Sequence, residues 1–287
     1  MMNEPSGAAP TKNTGAKITH YALGSTDRER QRLMRQGAFL RDITATAFRA
    51  AGIGPGMRVL DIGSGVGDVA LLAAELAGPT GSVVGLDRDM ASVEWANRRA
   101  AEAGVANVSF RATEFSEFSD VRPFDALVGR FILLYLPDPA ATLRHLASML
   151  RSGGIVAFHE PDFTEPGKCL PVIPLVDQCN SWICETLRRT GARLDMGMRL
   201  HQTYREAGFV GTTTMVAHLS GCGVRREMVE FFTETVRSIL PKMEQCGIAT
   251  REEVQIETLA DRLEADGHKA DPQWIGARYV CAWARKP

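Results

Sequence analysis

The run Val59-Leu60-Asp61-Ile62-Gly63-Ser64-Gly65-Val66-Gly67-Asp68 constrains this chain more than any other part of it. An apolar run that closes on an acid has the pattern of a buried parallel strand. Glycines at three alternate positions, Gly63, Gly65 and Gly67, then impose a tight turn and let a ligand approach the backbone. Val69 to Leu76 follows with helix-forming residues, so the loop feeds a helix N-terminus. Strand, glycine turn and helix in this order predict a nucleotide-type ligand site at the first turn of a doubly wound sheet.

Spacing narrows the ligand. The dinucleotide fingerprint is G-x-G-x-x-G, with a pyrophosphate held at the helix start. Here Asp68 stands where the last glycine belongs. A carboxylate there already answers the positive helix end and repels pyrophosphate, so a ligand without phosphates is expected. The pattern Asp61-x-Gly63-x-Gly65-x-Gly67 resembles the first motif of class I S-adenosylmethionine-dependent methyltransferases. That resemblance implies S-adenosylmethionine as cofactor, S-adenosylhomocysteine as product, and contacts from Asp61, Gly63, Ser64, Gly65 and Gly67.

Four further segments follow the same order. Ser82 to Asp87 is a second apolar strand ending in an acid, twenty residues beyond Gly67. A carboxylate there can accept from both hydroxyls of a ribose. The resemblance gives Asp87 that role and sets Arg88 and Met90 beside the adenine; the alternative is that Asp87 caps the helix beginning near Met90. Asn107 to Phe115 reads as a short strand running into a loop. By resemblance Thr113, Glu114 and Phe115 face the adenine, although relatives often carry Gly-Asp where Thr113-Glu114 stands; a solvated loop acid is the competing reading of Glu114. Phe124 to Arg130 is the fourth strand, and Leu136-Pro137-Asp138-Pro139 behind it opens a helix. Arg130, at the strand's carboxyl end, would pair with the cofactor's carboxylate or an anionic substrate, or else form a structural salt bridge; Phe131 follows it at the cofactor. Leu150 to Glu160 supplies a glycine pair, expected to end a helix, and a fifth strand.

These elements predict an α/β fold: a Rossmann-like, doubly wound, seven-stranded and mostly parallel sheet with an antiparallel C-terminal hairpin, N-terminal helices and a helical cap insert. The domains expected are a disordered tail at 1–18, a helical cover at 19–56, the cofactor-binding core at 57–160, a helical insert over the substrate site at 161–209, and the rest of the α/β domain at 210–287. Thr26 to Glu29 matches a capping box, and Leu33, Leu40, Ile43 and Ala47 continue a helical stripe that Gly37 is expected to break in two. The cover resembles that of a bacterial subgroup of the same enzymes, which implies Tyr21, Arg35 and Gln36 as contacts; packing of a polar helix face is the other reading. Beyond Glu160 helices are expected over Val176–Arg189, Leu200–Ala207, Glu227–Leu240 and Glu252–Ala265, with strands at Gly211–Leu219 and at Trp274–Ala284, Gln273 onward forming the sheet edge.

The formal net charge of −1 over 287 residues offers no basic field for nucleic acid. No apolar run approaches membrane-spanning length, and no hydrophobic signal core is present at the N-terminus. Cys169, Cys179, Cys184, Cys222, Cys246 and Cys281 contain no Cys-x-x-Cys pair, so no metal is expected and free thiols in the cytoplasm are. The expected partners are a small-molecule substrate and a second copy in a homodimer, without nucleic acid or membrane.

A sulfonium methyl is already electrophilic, so such an enzyme mainly aligns a nucleophile and excludes water. His159 and Glu160 are the best-placed candidates for a base and its partner, against the reading of His159 as a buried, satisfied histidine. Adjacent strand residues point to opposite faces, so both would serve one site only if the strand had ended. Phe163, Cys169, Leu170, Val172, Ile173, Leu175, Trp182, Phe231 and Phe232 form either an apolar pocket wall or ordinary core. The function expected is methylation of a small molecule at oxygen, nitrogen or carbon in secondary metabolism. The alternatives are a nicotinamide-dependent oxidoreductase and a non-catalytic S-adenosylmethionine-binding protein.

Overall fold

A computed structural model describes residues 26–287. The elements in chain order are α1 (Asp27–Ala51), β1 (Arg58–Ile62), α2 (Asp68–Ala77), β2 (Ser82–Asp87), α3 (Met90–Glu102), β3 (Val108–Ala112), β4 (Phe124–Arg130), α4 (Pro139–Ala147) and β5 (Leu150–Asp162). Then come β6 (Lys168–Leu170), α5 (Pro174–Arg189), α6 (Met196–Ala207), β7 (Val210–Ala217), β8 (Ser220–Cys222), α7 (Arg226–Gln245), α8 (Arg251–Val254), α9 (Leu259–Ala270), β9 (Gln273–Ile275) and β10 (Arg278–Arg285).

The main sheet has seven strands in the order β3-β2-β1-β4-β5-β10-β7. The first five pair in parallel, and β10 runs antiparallel to both β5 and β7. Side chains alternate between two cores. Val59, Val83, Ala126, Val128 and Ala157 face the layer of α1, α2 and α3. Leu60, Ile62, Leu127, Val156 and Phe158 face α4, α6 and the helices beyond them. Strands buried on both faces explain the unbroken apolar runs in the sequence. Each fully buried side chain such as Leu127 contributes about 1.5–3 kcal/mol. Tyr204 of α6, fully buried, donates to the Ala282 carbonyl at 2.9 Å and so fixes α6 to β10.

Several local expectations are revised. Gly37 does not divide α1; a Cβ there would overlap the Asp68 carboxylate, so this glycine permits α1 to lie against the start of α2. Thr26 Oγ1 caps α1 by accepting from Glu29 N at 3.2 Å, but the Glu29 carboxylate is engaged by Arg32. The glycine pair Gly153-Gly154 lies within β5, beside the register shift against β4, and does not end a helix; Ser148 follows α4. The antiparallel C-terminal pair is β7 with β10, separated by α7, α8 and α9. Its outer edge is β7, whereas Gln273–Ile275 joins a second, three-stranded sheet in the order β6-β9-β8. Among the described residues no helix is long and apolar enough to cross a membrane.

Candidate functional site

Because β1 is followed by β2 on one side and pairs with β4 on the other, a crevice opens at their carboxyl ends. The structure has a cleft of about 540 Å³ there, and α1 covers it. Most sequence-derived candidates meet in its wall: Gly63, Ser64, Gly65, Asp87, Arg88, Thr113, Glu114, Phe115, Arg130, Phe131 and Gln36.

The glycine loop takes the left-handed conformations that favour its residue type, with φ of +66° at Gly63 and +50° at Gly65. A Cβ at Gly65 would meet nothing within 4 Å, so the backbone is bare to the cleft. Asp87 closes the loop at the end of β2. Its Oδ2 accepts from Gly65 N at 2.8 Å and its Oδ1 from Asp89 N at 2.9 Å. The cap of α3 is Asp89, whose carboxylate accepts from Ser92 N at 3.1 Å, so Asp87 is not the capping residue. Burial raises the Asp87 pKa, with the two backbone N–H bonds opposing. The backbone N–H of Thr113 donates to the Asp87 carbonyl at 2.9 Å and sets the next loop beside it.

Asp61 lies beneath the loop, fully buried; among the described residues no side chain bonds its carboxylate, and the backbone N–H of Ala70 is the group that partly satisfies it. Desolvation pushes its pKa well up, and the nearby Arg130 guanidinium opposes this. Arg130 in turn forms no ion pair among the described residues; Nη1 donates to Thr44 Oγ1 at 3.3 Å. Asp68 is paired with Arg99 at 3.0 Å, so the start of α2 carries its own neutralised acid.

Other candidates fall elsewhere. Gly67 backs onto the Phe110 ring, where a Cβ would stand 2.8 Å away, and does not line the cleft. Met90 is 58% exposed and outside the wall, and Arg35 is exposed. Tyr21 lies outside the described residues, as does the 1–18 tail.

His159 and Glu160 are both fully buried on β5, which continues to Asp162, and they point to opposite faces. His159 Nδ1 meets Thr44 Oγ1 of α1 at 3.0 Å; its pKa is held well below the usual 6.5 by burial and by Arg130. Glu160 Oε1 accepts from Ile132 N at 3.0 Å and Leu133 N at 2.9 Å, and Oε2 from Leu134 N at 3.4 Å. The carboxylate therefore anchors the turn after β4, in which Phe131 adopts φ +55°. Burial raises its pKa to about 7 against those three bonds. Neither side chain lines the cleft or the cavity beside it.

That second cavity, about 90 Å³, shares Gln36, Phe131 and Tyr135 with the cleft. Its wall is mostly apolar, with Phe39, Leu134, Phe163, Ile183, Leu187, Phe231, Phe232 and Tyr279. Of the expected pocket wall, Phe163, Phe231 and Phe232 are present. Trp182 and Ile173 are core, Leu170 and Val172 are 75% and 63% exposed, and Cys169 and Leu175 lie outside. Sequence reasoning missed Tyr135, Tyr279, Glu29 and Leu33; the 3–4 residue spacing of Glu29 and Leu33 to Gln36, itself an expected contact, is the signal that would have found the last two.

A family profile described as a methyltransferase domain matches residues 53–208. Aklanonic acid methyltransferase DauC of Streptomyces sp. (strain C5) is 33% identical over 47% of this chain and 72% of its own. The ubiquinone biosynthesis O-methyltransferase of Paracidovorax citrulli is 32% identical over 36% of this chain, which spans only 43% of that protein. In fold the chain is similar to the [4+2]-cyclase SpnF, with a TM-score of 0.52, 22% identity and coverage of 86% and 80%. Coclaurine N-methyltransferase, solved with N-methylheliamine and S-adenosylhomocysteine, gives a TM-score of 0.51 at 12% identity over 85% and 72%.

Proposed function

We propose, for a chain that belongs to the class I S-adenosylmethionine-dependent methyltransferases, that the cleft holds S-adenosylmethionine and the adjoining cavity holds a small, largely apolar acceptor. The observation that carries this reading is the shared wall of Gln36, Phe131 and Tyr135, which sets an aromatic cavity directly against a nucleotide-type cleft.

The residues present fit the cofactor. Asp87, already fixed by two N–H bonds, would take the ribose hydroxyls, and the bare backbone at Gly65 would lie along the amino-acid portion. Arg130, a cation without an ion pair among the described residues, would take the carboxylate. Asp61, a buried carboxylate that no side chain pairs among the described residues, supports a cationic group nearby. Thr113, Glu114 and Phe115 would flank the adenine. When bound, S-adenosylmethionine supplies an electrophilic methyl group on a sulfonium. The chain's part is then to orient the acceptor and exclude water, which the aromatic wall does. His159 and Glu160 serve this reading as supports, His159 fixing α1 through Thr44 and Glu160 holding the turn that carries Phe131 and Tyr135.

Asp68, standing where the dinucleotide fingerprint needs its last glycine, speaks against the nicotinamide alternative. Six free cysteines support a cytoplasmic setting, and sedimentation equilibrium tests whether the chain pairs with a second copy. Calorimetric titration with S-adenosylmethionine, S-adenosylhomocysteine and reduced nicotinamide dinucleotide tests the proposal. Binding of the two sulfur ligands alone is expected; binding of the nicotinamide alone would overturn it. Product formation from a screened acceptor separates an enzyme from a non-catalytic binder.

A further inference from the structure

Two polar side chains narrow what the apolar cavity can take. Gln36 sits in the wall shared with the cleft. Its amide has one orientation, because Arg32 Nη1 donates to Oε1 at 2.6 Å and a guanidinium offers no acceptor. Arg32 is itself fixed by two bonds to the buried Glu29 carboxylate, at 2.8 and 2.6 Å, which Ser238 of α7 also joins. Among the described residues nothing accepts from Gln36 Nε2. Tyr279 of β10 lines the same cavity and stacks on Phe131, a member of the shared wall, at 5.8 Å and 22°. His159 meets its ring edge-on at 5.5 Å. Two ring contacts thus fix the phenol, and its oxygen has no hydrogen-bond partner among the described residues. Burial pushes the Tyr279 pKa up, so the phenol keeps its proton and donates.

We propose that Gln36 and Tyr279 form a two-donor bracket for an oxygen of the acceptor, so that this site selects aromatic molecules carrying a phenolic, enolic or carbonyl oxygen at the end nearest the cofactor cleft. The inference rests on the methyl-transfer reading. Both side chains are positioning residues: each presents a donor N–H or O–H to the oxygen's lone pairs, and neither accepts its proton.

Shape-matched pairs test the bracket: phenol against toluene, and 1-naphthol against 1-methylnaphthalene. Each is titrated into the full chain saturated with S-adenosylhomocysteine. The hydroxyl member should bind about tenfold more tightly, because the methyl member leaves two buried donors unpaired. Tyr279→Phe and Gln36→Met should each reduce that ratio by about fivefold or more. The affinity for the methyl member should stay unchanged in both, and that for S-adenosylhomocysteine in Tyr279→Phe, whose residue lies outside the cleft, which a general loss of structure would not allow. A ratio near one in the wild type, a ratio untouched by both variants, or no binding of any pair member to the loaded protein would overturn the bracket and leave the methyl-transfer reading standing. Failure of the wild type to bind S-adenosylhomocysteine would overturn the reading and the bracket with it.

Discussion

His159 and Glu160 are neighbours on one interior strand, and burial drives their pKa values in opposite directions. For Glu160 the folded value of about 7 lies above the ordinary 4.5, so the folded state binds the extra proton. Its contribution to stability is fully present below pH 4.5 and is lost as the pH rises through 7. At ~1.4 kcal/mol per pH unit, that span corresponds to about 3 kcal/mol. Glu160→Gln keeps an acceptor for Ile132 and Leu133 but has no titration, so denaturant melts should show the wild type losing about 3 kcal/mol relative to the variant between pH 4.5 and 7. Parallel curves for the two proteins would mean that the three N–H bonds outweigh desolvation. His159 has the opposite sign: its folded pKa is depressed, so its stabilisation holds above 6.5 and is lost as the pH falls. We infer that His159, a buried neutral imidazole outside both cavities, supports α1 and does not act as a base for the acceptor. His159→Ala should therefore lower stability while changing turnover far less than the ~100-fold expected for a lost general base. A 100-fold loss with unchanged cofactor affinity would restore it to the chemistry. Asp87→Ala should weaken S-adenosylhomocysteine binding by about 1–3 kcal/mol in calorimetry, because it frees the Gly65 and Asp89 amides as well as removing the ribose acceptor. Unchanged affinity would remove Asp87 from the site.

At the scale of elements, the joint between α1 and α2 turns on Gly37. Helix propensity alone favours alanine there by about 1 kcal/mol. The added Cβ, however, overlaps the Asp68 carboxylate, which cannot withdraw without leaving Arg99. Overpacking of this kind costs about 1–3 kcal/mol, so Gly37→Ala should lower the melting temperature by several degrees despite a better helix. A rise would show that α1 can slide on α2. The same residue marks what could be read in advance. The glycine loop, the acids closing β1 and β2, and Asp138-Pro139 opening α4 are local chemistry, each stated by residues a few positions apart, and they are legible in the sequence. Gly37 is not, because its reason lies on α2, thirty-one positions away. Trp274 to Ala284 alternates like one strand, yet Gly276-Ala277 divides it between two sheets whose partners are distant in sequence. His159 and Glu160 were correctly placed on the fifth strand, but not at its end. What local pattern could not supply was that β5 runs on to Asp162 with α1 on one face and the Ile132–Leu134 turn on the other.

Over the whole molecule, the two ligand spaces are one construction. The α1 helix walls both, and α7, inserted between β7 and β10, closes the cavity against it. Arg28 donates twice to Glu234, at 2.9 and 2.8 Å, Glu29 accepts from Ser238, and Phe39 stacks on Phe231 at 5.6 Å. Arg28 is largely exposed, so its pair is worth little alone, but the buried Glu29 joint and the ring stack hold the helices together. A ligand in the cleft would pack on Gln36, Phe131 and Tyr135, the same residues an acceptor in the cavity meets, so the two ligands are expected to bind cooperatively. Couplings between linked sites are typically about 1–3 kcal/mol, or roughly 5–150-fold in affinity. Saturating S-adenosylhomocysteine should accordingly tighten 1-naphthol binding by about fivefold or more. Saturating 1-naphthol should tighten S-adenosylhomocysteine by the same factor, since coupling of binding free energies is reciprocal. Closing the cycle by calorimetry in both orders is the check. Equal affinities with and without the partner ligand would mean that the shared residues are rigid before either ligand arrives.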